Sequence, residues 1–269
     1  MDLTARASLL LLLLLGLCNA QPGDDPATED VNSVVESDKD DMTTAIFKMN
    51  NGSLHLVEEG DIFIPRTRSA MKCKHKRFSC LWPKSSNGNV EIPFIISEKY
   101  DDEEKNTILL AMKGFEPKTC IRFVPRKTER AYLNIVPKYG CMSLLGFTGD
   151  KQIISLQRFG CVKNSIIQHE LMHALGFYHE HTRSDRDQYV RINWDNLKEY
   201  YIKNFKKMDT NNLNTPYDYS SIMHYGRTAF GMFGRLETIT PIPDPNVPIG
   251  ESKTFSDIDI LRINRLYKC

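Results

Sequence analysis

The chain reads as an α+β protein in two lobes, and three observations point there. Four short apolar runs, at 90–96, 120–124, 131–136 and 152–156, have strand-like composition, and a stretch among them, 102–115, has helical periodicity. A histidine-rich stretch, His169-Glu170-Leu171-Met172-His173-Ala174-Leu175-Gly176-Phe177-Tyr178-His179, has the spacing of a metal-binding helix. After it, turn residues are frequent until a closing helical stretch near 257–266.

From the amino terminus, residues 1–20 form a signal peptide: Arg6 precedes an unbroken leucine run from Leu9 to Leu15, and Cys18-Asn19-Ala20 supplies residues suited to cleavage. The run is too short to span a bilayer, and nothing later approaches the roughly twenty apolar residues a span needs. No membrane anchor is therefore expected, and the mature chain is expected to be secreted. Residues 21–68, with eleven Asp or Glu against four Lys or Arg, read as a prosegment. Residues 69–269 carry 30 basic against 22 acidic side chains, a formal net of +8, so the whole-chain net of +1 hides two halves of opposite charge that attract. The one N-glycosylation sequon, Asn51-Gly52-Ser53, falls in the prosegment. Arg66-Thr67-Arg68 follows Pro65 and is basic, which makes Arg68–Ser69 the expected activation cleavage; removal nearer Ser85, discarding Cys73 and Cys80, is the alternative.

Within 69–269, Val90 to Ile96 is a predicted strand with Pro93 near its start. Asp102 to Phe115 is a predicted helix with Ile108, Leu109 and Met112 on one side. Cys120 to Val124, Ala131 to Val136 and Gln152 to Leu156 are three further strands, and Asp257 to Leu266 the closing helix. No internal repeat, phosphate-binding glycine loop or nucleic-acid motif is present, so no nucleic-acid partner is expected.

Residues four apart on a helix share a face, so His169 and His173 can each offer an imidazole nitrogen to one ion. Glu170 points about a quarter-turn away, placed to take a proton from water rather than to bind metal. Gly176 adopts φ > 0 without steric cost, so the helix can end and the chain swing back to bring His179 as a third ligand. Three protein ligands leave a position open for water, as a catalytic zinc requires. The chemistry this supports is hydrolysis with Glu170 as general base and no covalent intermediate.

The zinc stretch continues through Glu180, Arg183, Asp185, Arg186 and Asp187, and Ser221-Ile222-Met223-His224-Tyr225 follows. This string resembles the astacin family of metzincin zinc endopeptidases, a likeness running from about Ser85 to Cys269. Cys73, Cys80, the stretch from Pro65 to Met71 and the terminal Cys269 are similar to the six-cysteine fish hatching enzymes of low choriolytic type.

The resemblance implies a two-lobed metzincin domain with a mixed sheet, a zinc-binding helix and the active-site cleft between lobes. It implies that His169, His173 and His179 hold one zinc ion, with Glu170 as the base. Tyr225 would be a further ligand at rest and hydrogen-bond the oxyanion during turnover, and Met223 would form an apolar floor under the ligands. Glu180 would pair with the amino terminus created by activation. Glu59-Gly60-Asp61-Ile62 matches the end of the family's propeptide motif, in which Asp61 binds zinc in place of water and makes the chain's own propeptide its inhibitor. The family's aromatic residue three places before that aspartate is Glu58 here. The Gln152–Leu156 strand is implied to lie at the cleft edge, where an extended substrate pairs antiparallel with it.

Of seven cysteines, Cys18 leaves with the signal, and six in an oxidising compartment allow fifteen pairings. The resemblance selects Cys120–Cys269 and Cys141–Cys161, leaving Cys73–Cys80; the first two would contribute about 3 to 5 kcal/mol each. The implied partner is a protein substrate, either an egg-envelope glycoprotein or the target of a general digestive or tissue enzyme. A reading from a different class is a catalytically silent protein that binds extracellular matrix. Specificity would lie after Tyr225, in Arg227 and residues 233–238, with Arg227 either favouring acidic groups or anchoring the loop.

Overall fold

The structure, a computed structural model, describes residues 40–52, 57–63, 80–232 and 236–269. The expected signal peptide, the Arg68–Ser69 bond, Cys73 and Ser53 of the sequon lie outside these residues; Asn51 is exposed just past the first helix. In chain order the main elements are α1 (Met42–Asn50), β1 (Val57–Glu58), β2 (Ile62–Phe63), β3 (Val90–Ile96), α2 (Asp102–Lys113), β4 (Ile121–Pro125), β5 (Tyr132–Val136), β6 (Cys141–Ser143), β7 (Lys151–Leu156), α3 (Asn164–Ala174), β8 (Val190–Ile192), β9 (Ile239–Pro241) and α4 (Asp257–Tyr267). Every strand and helix expected from the sequence is present within a residue or two. Among the described residues no helix is long and apolar enough to cross a membrane.

One mixed sheet has the order β1-β2-β6-β7-β5-β3-β4. Strands β3, β4, β5 and β7 run parallel, and β6 turns back antiparallel on β7. The Gln152–Leu156 strand is therefore interior, not at the edge as expected. The strand outside it, β6, is three residues long and buried throughout, too short for any alternation to show in the sequence. The outer side of β6 carries β2 in parallel, with Ile62 opposite Ser143, and β1 closes a hairpin on β2. Strand β2 thus adds to the sheet outside β6, running parallel to β6 and therefore antiparallel to the Gln152–Leu156 strand.

Helix α2 opens with a capping box, in which the Asp101 side chain accepts from Glu104 N and the Glu104 carboxylate accepts from Asp101 N. Its buried face is Ile108, Ala111 and Met112, continuing into Phe115 just past its end. Leu109, expected on that face, is 41% exposed, because 3.6 residues per turn aligns 108 with 111, 112 and 115 and sends 109 about 100° away. Helices α2 and α3 pack together, sharing a core with Ile92, Ile121, Leu133, Ile135 and Ile154 of the sheet. A second core, built on Val190, Phe205, Tyr217, Tyr225 and Ile239, defines the other lobe, where short 3-10 helices and the β8–β9 pair replace long elements.

Two disulfides brace these parts. Cys120–Cys269 ties the start of β4 to the chain end beyond α4 at a Cα separation of 5.3 Å, and Cys141–Cys161 joins β6 to the turn before α3 at 5.5 Å. Cys80 is also disulfide-bonded; its expected partner, Cys73, falls outside the described residues.

Candidate active site

Helix α3 is buried at every position from Ile166 to Ala174 and has no side-chain N-cap, so tertiary contacts hold it. Its last carbonyls find donors elsewhere: Trp82 Nε1 bonds Ala174 O at 2.9 Å, Gly146 N bonds His173 O at 2.8 Å, and Tyr267 Oη bonds Leu175 O at 2.9 Å. Gly176 has φ +102°, and a Cβ there would meet nothing closer than 3.8 Å, so backbone angle rather than space demands glycine. The chain then reverses and carries His179 back to the helix.

The Nε2 atoms of His169, His173 and His179 and a carboxylate oxygen of Asp61 lie within 4.8 Å of one another, all buried. His169 Nε2 and His179 Nε2 are 3.2 Å apart; Asp61 Oδ2 is 3.1 Å from the first and 3.3 Å from the second, and Asp61 Oδ1 is 3.3 Å from His173 Nε2. Donors bound tetrahedrally at the usual zinc distances stand about 3.3 Å apart. His173 Nε2 and Asp61 Oδ1 are buried without a hydrogen-bond partner among the described residues. Each imidazole presents its other nitrogen to an acceptor: His169 Nδ1 to Ile222 O at 2.8 Å, His173 Nδ1 to Phe177 O at 2.7 Å, and His179 Nδ1 to Glu59 Oε2 at 2.7 Å. Those acceptors fix the proton on Nδ1 and leave Nε2 as a lone-pair donor, the tautomer a metal requires. The donor set therefore fits zinc.

Glu170 is fully buried, and among the described residues neither carboxylate oxygen has a hydrogen-bond partner. Burial, with Asp61 adding its negative charge, pushes its carboxyl well above the ordinary range. Met223 is buried in the core shared with Leu171 and Met172. The turn that carries it is anchored from α4, where Asp259 accepts from Ser221 Oγ at 2.6 Å and from Ile222 N at 3.0 Å. Tyr225 is stacked on His181 at 3.7 Å and donates its hydroxyl to the Glu59 carbonyl. Burial, then Asp61 and Glu59, raise its pKa well above the phenol range.

Glu180 is 3% exposed, bonded by Arg262 at 2.5 and 2.8 Å, by Arg183 at 3.3 Å and by Asp218 N at 2.8 Å. A cavity of about 170 Å³ lies beside it, lined in part by Tyr178, Asn211, Leu213 and Arg262. Arg227 is held by Glu237 at 3.3 Å, by Val247 O at 2.8 Å and by Pro245 O, so it anchors the loop.

Residues 40–52 and 57–63 contribute more to the site than the sequence indicated. Glu58, where the family has an aromatic, is exposed on β1. Aromatic packing comes instead from Phe47 of α1, stacked on Phe230 at 3.7 Å and edge-on to Tyr225 at 5.2 Å. Gly60 has φ +85°, and a Cβ there would collide with Phe47 and lie 2.8 Å from Phe230. Glu59 itself has φ +48°, uncommon for a residue with a side chain. Local spacing carried no sign of Glu59 or Phe47, because their partners stand more than a hundred residues away.

A mixed sheet packed on a helix with two histidine donors, a third returning through a glycine turn and an adjacent carboxylate define a metal-dependent peptidase of the metzincin class. Residues 76–268 match the astacin peptidase family, and the chain belongs to that family of zinc metalloendopeptidases. It is 58% identical over 272 residues to the low choriolytic enzyme of Oryzias latipes and 52% identical over 271 residues to high choriolytic enzyme 1 of the same fish, each match covering 100% of both chains. Among solved structures it is similar to high choriolytic enzyme 1, a hatching enzyme zinc-protease from medaka, with a TM-score of 0.71 at 57% identity over 75% of this chain and 100% of that one.

Proposed function

We propose that the chain is a secreted zymogen whose active form digests egg-envelope protein at hatching. Residues 1–20 are the signal peptide, 21–68 the inhibitory propeptide and 69–269 the catalytic domain, released by cleavage at Arg68–Ser69. The observation that carries this reading is Asp61, buried 3.1 to 3.3 Å from the imidazole donors. Full-length likeness to two choriolytic enzymes supports the envelope as substrate.

His169, His173 and His179 would hold zinc, and Asp61 would take the remaining position until activation. Zinc, when bound, supplies Lewis acidity that polarises the scissile carbonyl and makes water a stronger acid. Glu170 accepts the proton from the attacking water and returns it to the leaving amine. Its lack of a hydrogen-bond partner among the described residues supports that role, since none of them competes for the carboxylate. The Tyr225 hydroxyl, once free of Glu59, donates to the developing oxyanion. Met223 floors the ligands. Glu180, with the cavity beside it, receives the new amino terminus.

The test is to incubate the processed protein with isolated egg envelopes and with casein, and to sequence its amino terminus. Release of soluble envelope peptides by a protein beginning at Ser69 is expected. Casein cleavage with the envelope untouched would favour a general tissue protease.

A further inference from the structure

The three imidazoles differ in what holds them. His169 and His173 donate their Nδ1 protons to Ile222 O and Phe177 O, backbone acceptors that belong to the same lobes as the histidines themselves. His179 donates its Nδ1 proton to Glu59 Oε2 at 2.7 Å, and Glu59 belongs to the segment that activation removes. The contact is built: the Glu59 side chain is 4% exposed, Oε2 also accepts from His179 N at 3.3 Å and from Thr182 Oγ1 at 3.5 Å, and the Glu59 carbonyl receives the Tyr225 hydroxyl. Glu59 meets all of these from a backbone angle of φ +48°, a conformation that persists in a non-glycine residue only when its surroundings over-determine it.

We infer that Glu59 is a positioning residue of the precursor, whose carboxylate orients the third imidazole toward the metal and so makes the precursor's zinc site tighter than the processed enzyme's. This rests on the three-histidine zinc site and on removal of residues 21–68. It is separate from the part played by Asp61, because Glu59 faces the far nitrogen of the ring. A carboxylate behind a metal-bound imidazole raises the ligand's basicity and fixes its ring, and loss of such a partner typically costs 10- to 100-fold in metal affinity. Cleavage would then do two things at once: open the site and leave its third ligand without a charged support. The segment is thereby a loading device as well as a block, most useful while zinc is acquired.

The experiment follows zinc transfer from the purified full-length precursor to a chromophoric chelator for wild type, Glu59→Gln and Glu59→Ala, with 15N-histidine NMR of the wild type. Glu59→Gln keeps the shape and an acceptor but removes the charge. Zinc release about tenfold faster or more is expected in Glu59→Gln, and at least as fast in Glu59→Ala. A slowly exchanging His179 Nδ1 proton is expected in the precursor and not in the processed form. Wild-type release from Glu59→Gln, whatever Glu59→Ala does, would reduce Glu59 to packing and overturn the inference. So would the absence of that proton in the wild-type precursor, a measurement that needs no variant to fold. A wild-type precursor holding no zinc at all would instead overturn the three-histidine site.

Discussion

His169 Nδ1 and the Ile222 carbonyl meet at 2.8 Å, so the zinc helix and the Ser221–Tyr225 turn, 53 residues apart, are one hydrogen-bonded unit. The turn is in turn fixed by Asp259 through Ser221 Oγ and Ile222 N. Replacing Asp259 by Ala would strand both donors in a buried site and cost about 2 to 4 kcal/mol. Urea unfolding of the precursor measures this, with zinc retention expected to fall alongside; wild-type stability would mean that the turn holds itself.

Glu170→Gln leaves the imidazole donors untouched and removes the base. Peptide hydrolysis by the processed form should fall by about 100- to 10,000-fold in kcat with zinc content unchanged. Steady-state kinetics with metal analysis on the same sample checks both halves.

Asp61→Ala should give an uncleaved precursor that hydrolyses a small peptide, because the carboxylate among the imidazoles is gone. Gly60→Ala should act in the same direction by another route. A Cβ there strikes Phe47 and crowds Phe230, and the left-handed angle adds about 1 to 2 kcal/mol of strain. An assay of precursor protected from cleavage by Arg68→Ala tests both, and complete latency in Asp61→Ala would remove the carboxylate from the inhibitory contact.

His224 offers a titration away from the donors themselves. Tyr217 Oη is 2.8 Å from its Nε2 and the Tyr225 carbonyl 2.7 Å from its Nδ1, which satisfies the neutral ring, and burial, opposed by the Tyr225 carbonyl, lowers its pKa to about 4. An unfolded histidine titrates near 6.5. Between about 6.5 and 4 the unfolded chain therefore binds a proton that the folded chain refuses, and stability falls as pH falls through that window while staying flat above it. Melting temperature measured from pH 7 to 4.5 should drop, and less steeply in His224→Gln.

Much of this site was legible in the sequence because it is local. Spacing of four on a helix, a glycine at its end and a third histidine three residues on need only backbone geometry, and the observed φ of Gly176 agrees. The sheet was legible wherever strands reached five residues. It failed at β6, three buried residues without alternation, which pairs outside the Gln152–Leu156 strand that the resemblance had put at the cleft edge. Leu109 was placed on the wrong face of α2 because a run of aliphatic residues masks the period. The Glu59–His179 contact spans 120 positions and joins two residue types common on surfaces, so no local pattern marks it. The second lobe depends on 3-10 turns, which carry no period long enough to read.

The most direct measurement is zinc content and peptide hydrolysis of the processed protein before chelation, after it and after zinc is restored. One zinc per chain, hydrolysis lost with the metal and recovered with it, is the expected result. Hydrolysis at the original rate by protein stripped of metal would contradict the assignment of His169, His173 and His179 as the centre of the chemistry.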